Sequence, residues 1–212
     1  MEERVSLKEV FRDKSVSETR ELYDDWASSY ERENIGKGYR SPWMGAAMMA
    51  RHLPVGQGPV LDAGCGTGLV GEALGVLGYG PVIGCDLSQG MLDHAAGRGA
   101  YADLVTQDMT QRFRWNDGHF AGFICIGCFA PAHAPADSLR EMVRVTKPGG
   151  VGVFSLLDVN LDARPFGQVI RSLTESGSWR IIEKTRAFRP YVIDEPDLAT
   201  NLFVVEVLAA AA

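Results

Sequence analysis

A chain of 212 residues, 46% hydrophobic and 23% charged, has the balance of a folded globular domain and excludes disorder, a collagen-like repeat or a coiled coil over its whole length. A formal net charge of -6 speaks against a general nucleic-acid binder or a binder of anionic membranes, both of which need an excess of Lys and Arg. The longest weakly polar run covers only residues 121–132, against the roughly 20 that a membrane-spanning helix needs.

Residues 1–16 read as a charged arm without an apolar signal core, so secretion is not expected. Ser15-Val16-Ser17-Glu18 fits a capping box, in which a hydroxyl and a carboxylate satisfy each other's free backbone N–H groups. A helix is predicted from there to about Tyr30, with Leu22, Tyr23, Trp26 and Tyr30 on one face. Ser41-Pro42 opens a second helix to about Leu53, with Trp43, Ala47 and Met48 expected inward. Val60-Leu61-Asp62 is a short strand running into glycines, and residues 67–77 read as a helix. A strand over 81–85 follows, and Ser88 caps a helix to about Ala96. Strands over 102–106 and 120–126 precede an amphipathic helix over 137–146, a turn over 147–150 and a strand over 151–157. A helix over about 163–175 leads to two strands, 180–192 and 198–208, joined by Asp194-Glu195-Pro196-Asp197.

Strands alternating with helices imply a parallel sheet with crossovers, here closed by an antiparallel pair. The expected architecture is a single α/β domain over 1–212 with a seven-stranded, mostly parallel sheet. Its parts are an arm and lid helices over 1–53, a ligand-binding core over 58–157 and a C-terminal helix with antiparallel strands over 158–212.

The four cysteines, Cys65, Cys85, Cys125 and Cys128, lie in apolar or glycine-rich runs, as reduced thiols of a cytoplasmic protein do. Cys125 and Cys128 do not make a metal site. Residues three apart on a strand face opposite ways, and no second cysteine pair stands at zinc spacing.

The most informative stretch is Val60-Leu61-Asp62-Ala63-Gly64-Cys65-Gly66-Thr67-Gly68. A strand ends, the chain turns on glycines, and a helix begins with its free N–H groups aimed outward at a ligand. The dinucleotide fingerprint wants a third glycine five positions after the first, where this chain has Leu69; a nicotinamide-dependent oxidoreductase is therefore the weaker alternative. No Lys-Ser/Thr pair makes the turn a phosphate-cradling loop. In Gly84-Cys85-Asp86-Leu87-Ser88, the acid at the end of the second strand can accept both hydroxyls of a ribose.

The turn, with Asp62 two positions before Gly64, resembles the first motif of class I S-adenosylmethionine-dependent methyltransferases. Asp86, Gln107-Asp108-Met109, Ile124-Cys125-Ile126-Gly127-Cys128 and the run from Leu139 to Gly150 continue the resemblance in order. Tyr23-Asp24-Asp25-Trp26-Ala27-Ser28-Ser29-Tyr30, Tyr39-Arg40-Ser41-Pro42 and Cys65-Gly66-Thr67-Gly68-Leu69-Val70 are similar to the Williams–Beuren syndrome region methyltransferase-like family over roughly residues 17–157. One departure is Phe120-Ala121, where that family has Phe-Asp; Asp117 is the nearest substitute.

The resemblance implies a Rossmann-like fold, S-adenosylmethionine as cofactor and S-adenosylhomocysteine as product. It implies that Gly64, Cys65 and Gly66 approach the methionine part, with Ala63 beside them in the cofactor site, and that Asp62 orders the turn and receives the ammonium directly or through water. Asp86 then takes the ribose, Leu87 and Met91 sandwich adenine, and Asp108, beside Met109, takes its amino group. Ile126, at the end of the fourth strand, also belongs to the cofactor site. Tyr23, Trp26 and Tyr30 form a lid whose electron-rich faces attract a sulfonium, and Arg40 pairs with a carboxylate. His133, in the loop after the fourth strand, is the candidate base. Gly127-Cys128-Phe129-Ala130-Pro131 lacks the polar-Pro-Pro-aromatic motif of methylases that act on bases and amides. The expected acceptor is therefore a small molecule, with neither nucleic acid nor membrane as partner. A protein that binds the cofactor without transferring its methyl group is the main alternative.

Overall fold

A computed structural model describes residues 10, 12, 14–129, 133–160 and 164–209; most of the expected arm lies outside them. Helix α1 (Val16–Gly36) starts on the capping box, with Glu18 N donating to Ser15 Oγ at 3.2 Å and Ser15 N donating to Glu18 Oε2 at 2.7 Å. It continues past Tyr30 because Glu31-Arg32-Glu33 favour helix and nothing interrupts it before Gly36.

Helix α2 (Ser41–His52) begins at Pro42 as expected, but its phase differs. Pro42, Gly45, Ala46, Met48 and Met49 are buried, while Trp43 and Ala47 face solvent. Gly45 sits where an added Cβ would meet the Ile126 side chain at 2.7 Å, so close approach to the sheet selects that face.

The core then alternates: β1 (Val60–Ala63), α3 (Leu69–Val76), β2 (Val82–Asp86), α4 (Gln89–Ala96), β3 (Asp103–Thr106) and β4 (Phe120–Cys125). Helix α5 (Ser138–Val145), β5 (Thr146–Leu157), α6 (Arg164–Glu175), β6 (Trp179–Lys184) and β7 (Thr200–Val207) complete it. Among the described residues the sheet has seven strands in the order β3-β2-β1-β4-β5-β7-β6. Pairing is parallel from β3 to β5, and β7 runs antiparallel to both β5 and β6. Period-two alternation sorts the strand residues to two faces. Leu61, Phe123, Cys125 and Phe154 pack with α5 and α6, whereas Val60, Ile124, Val153 and Val204 pack with α2 and α3.

Two expected boundaries shift. The turn over 147–150 is drawn into β5, whose first pair, Phe120 with Thr146, is followed by a register shift; Gly149, at φ 77°, supplies the backbone that this needs. The strand expected over 180–192 stops at Lys184, and the chain crosses over 185–199 before β7 begins at Thr200. Pro190 in that stretch has no N–H for a ladder, and the segment touches back through isolated bridges, Tyr39 with Tyr191 and Phe188 with Thr200.

Candidate functional site

The strand order reverses between β1 and β4, which leaves a crevice at the carboxyl ends of these strands. This crevice is open and measures about 960 Å³ with the solvent space at its mouth included. Its floor is the glycine turn, where Gly64, Gly66 and Gly68 have φ of 71°, 52° and 93°. Gly64 N and Cys65 N both donate to Cys85 O, at 2.8 and 2.9 Å, and so tie the turn to β2. The two half-buried glycines, Gly64 and Gly66, differ. At Gly64 an added Cβ would lie 2.2 Å from Cys128 Sγ, so the neighbouring thiol already fills that side. At Gly66 nothing lies within 4 Å, and bare backbone faces open space.

Asp86 closes one wall. Its Oδ2 accepts from Gly66 N at 2.9 Å and its Oδ1 from Ser88 N at 3.0 Å. Burial pushes its carboxyl up from the usual range while these N–H donors hold it down. Ser88 Oγ accepts from Met91 N at 3.0 Å and donates to Asp24 Oδ1 at 2.5 Å; Gly90 N donates to the same oxygen at 2.9 Å. Helix α1 therefore lies across the crevice with Asp24 capping α4. Arg98 is a second tether: it ion-pairs with Glu31 of α1 at 2.5 Å and with Glu72 of α3, and its Nε donates to Thr67 O in the turn at 2.7 Å.

Of the residues singled out in the sequence, Tyr23, Tyr30, Gly64, Gly66, Asp86 and Leu87 line the crevice, as do Met91, Asp108, Met109, Ile126 and His133. Asp108 Oδ1 accepts from Thr110 N at 2.8 Å. Tyr23 Oη lies 2.7 Å from His133 Nε2. Burial drives the Tyr23 phenol far above its usual range, so it keeps its proton.

Five residues stand elsewhere. Ala63 is fully buried, because its place on β1 turns its methyl into the core beside α5. Cys65 is buried, and burial pushes its thiol well up. Asp62 lies beneath the turn rather than on the crevice wall: Tyr101 Oη donates to its Oδ2 at 2.7 Å, while its Oδ1 has no hydrogen-bond partner among the described residues. Burial pushes the Asp62 carboxyl up to about 7. Arg40 is held away, with its Nε donating to Arg189 O at 2.8 Å and its guanidinium over the Phe188 ring. Trp26 donates from Nε1 to Glu33 Oε2 at 3.1 Å and faces a second cavity behind α1. Asp117, the proposed stand-in at Ala121, pairs with Arg144 at 2.6 Å near the amino end of β4 and does not line the crevice.

The sequence reading missed Val16, Thr19, Gln107 and Cys128 on the crevice wall. Val16, Thr19 and Tyr23 recur at three- and four-residue steps, so the helical period of α1 carried the signal for two of them. Cys128 had no local signal, since it is placed by packing against Gly64.

Residues 60–150 match the family described as Methyltransferase domain. No curated protein is similar to the chain in sequence. Among solved structures, a chain from the complex of the Haloferax volcanii Trm112 methyltransferase activator superposes with a TM-score of 0.71 at 17% identity, covering 91% of this chain and 99% of that one. Magnesium protoporphyrin IX methyltransferase from Synechocystis PCC 6803, solved with bound S-adenosylmethionine, gives 0.68 at 16% identity over 93% and 99%. The cyclase SpnF gives 0.63 at 15% identity over 79% and 81%. The chain thus combines a match to the Methyltransferase domain family over residues 60–150 with a Rossmann-like methyltransferase fold.

Proposed function

We propose that the protein catalyses S-adenosylmethionine-dependent methyl transfer to a small-molecule acceptor and releases S-adenosylhomocysteine. The observation that carries this reading is the pairing of an unfilled backbone face at Gly66 with the Asp86 carboxylate at the next strand end. A nucleoside fits that edge: Asp86 faces its ribose, Leu87 and Met91 its base, and Asp108 an exocyclic amino group. The cofactor, when bound, supplies a methyl group already activated on a sulfonium.

The chain's own part is to align the reactants, exclude water and manage a proton. Tyr23 and Tyr30 lie across the opening from α1. With Nε2 of His133 unprotonated, the Tyr23–His133 pair can serve as a proton relay. A hydroxyl placed against Tyr23 Oη can pass its proton to the phenol oxygen while Tyr23 passes its own to His133 Nε2. The net charge of -6 supports an acceptor that is neither nucleic acid nor an anionic membrane.

Calorimetry with S-adenosylmethionine and S-adenosylhomocysteine, followed by turnover on a panel of small acceptors, tests the reading. Saturable binding of both and transfer to at least one acceptor are expected. The likeness to the cyclase SpnF shows that this fold also carries other activities. Binding without transfer to any acceptor would favour the non-methylating alternative, and saturable NADH binding would favour the oxidoreductase.

A further inference from the structure

Behind α1 lies a second, smaller cavity that shares Tyr23, Tyr30 and Gly127 with the crevice and measures about 610 Å³ with the open space at its mouth included. It is built from elements far apart in the chain: α1, the start of α2, the ends of β4 and β5, and the 185–199 crossing. Its composition is one-sided. Among the described residues that line it there is no Asp, Glu, Lys, Arg or His. Aromatic rings dominate: Trp26 packs edge-on against Tyr30 at 4.8 Å, and Tyr39 stacks on Tyr191 at 5.0 Å. Burial holds the phenols of Tyr30 and Tyr39 well above their usual range, so they stay uncharged.

The polar groups are equally specific. Tyr191 Oη donates to Asn34 Oδ1 at 2.8 Å, and Ser155 Oγ accepts from Gly127 N at 2.8 Å, so these are already engaged. Ser41 differs. It is 2% exposed, and its Oγ makes no hydrogen bond of good geometry although the Tyr39 phenol is its neighbour. A buried hydroxyl with no well-aligned hydrogen-bond partner among the described residues, in an aromatic cavity, leaves a polar contact for a guest to complete.

We propose that this cavity is the acceptor site and that it takes an uncharged aromatic compound bearing a hydroxyl group. A charged guest would lose its hydration with no counter-charge among the described wall residues, whereas a flat ring finds aromatic faces and its hydroxyl finds Ser41. The shared wall puts that guest beside Tyr23, next to the crevice. This inference rests on the cofactor reading above.

The test uses the full chain, saturated with S-adenosylhomocysteine, and three probes followed by calorimetry: 2-naphthol, 2-naphthoate and phenyltrimethylammonium. 2-Naphthol is expected to bind saturably and at least tenfold more tightly than either charged probe. Leu198→Trp, which fills the cavity from the 185–199 crossing, should weaken 2-naphthol at least tenfold and leave S-adenosylhomocysteine affinity unchanged. Ser41→Ala, nearly isosteric, should weaken 2-naphthol about threefold or more. Equal or tighter binding of a charged probe, or 2-naphthol affinity untouched by both substitutions, overturns the assignment. Failure of the unsubstituted protein to bind S-adenosylhomocysteine overturns the cofactor reading instead.

Discussion

Asp86 has two tasks at one carboxylate. It orders the glycine turn through Gly66 N and the start of α4 through Ser88 N, and its remaining lone pairs face the crevice. Hydrogen bonds to a charged group contribute about 1.5–3 kcal/mol each, so Asp86→Ala should weaken S-adenosylmethionine by at least tenfold in calorimetry. An unchanged affinity in a folded variant would leave the acid with a purely structural part. Asp62 shows the opposite economy of charge. It is fully buried, with one oxygen paired to Tyr101 and the other without a hydrogen-bond partner among the described residues, and burial pushes it up to about 7 from the ordinary 3.8. The folded chain therefore holds a proton that the unfolded chain has released. Stability from this group is intact at pH 4 and declines as the pH rises toward 7, at about 1.4 kcal/mol for each pH unit crossed. Asp62→Asn should flatten that decline, as urea unfolding at pH 5 and pH 8 would show; equal slopes in both proteins would refute the assignment.

At the scale of elements, α1 is fastened by specific contacts as well as apolar packing. Asp24 caps α4 from a different helix, receiving Ser88 Oγ and Gly90 N. Asp24→Ala should cost about 1 kcal/mol, by the usual worth of a cap, and hydrogen exchange should speed up along α1 before it does in the sheet. Removal of residues 1–35 should weaken S-adenosylmethionine binding, because Tyr23 and Tyr30 leave with them; equal affinity in the truncated chain would remove the lid. What the sequence made legible at this scale follows from local physics. The α1 start was readable because the capping box is a short-range signal, and the Ser88 cap for the same reason. The inward face of α2 was not, because Ser41–His52 is apolar on several sides and only the approach of Gly45 to Ile126 decides its rotation. The end of β6 was hidden likewise: residues 185–192 keep a strand-like composition but are drawn off to meet α1, a choice made by Tyr39, Asn34 and Tyr191 together.

For the whole molecule, the alternation of strands and helices gave the layers and the strand count, while the order β5-β7-β6 rests on long-range pairing. The crevice wall was readable where it is backbone and acid at strand ends. The second cavity was not, because its residues come from elements scattered along the chain and share no spacing. Phe154 lies at the centre of this assembly, stacked on Trp179 at 5.7 Å and on Phe203 at 5.0 Å, and so joins β5 to β6 and β7. Phe154→Ala should destabilise the fold by about 3–5 kcal/mol in urea titration, the range for emptying a large core site. A cost below about 1 kcal/mol would mean that the antiparallel end is held by other contacts.

Arg98 joins three parts that would otherwise move separately: Glu31 on the covering helix, Glu72 on α3 and the Thr67 carbonyl in the turn. Its acidic partners are partly wetted, with side chains 35% and 43% exposed, so dissolved ions reach them. Brine should therefore act as a latch release, and stopped-flow entry of S-adenosylmethionine should quicken as sodium chloride is raised, an acceleration that Arg98→Met would abolish.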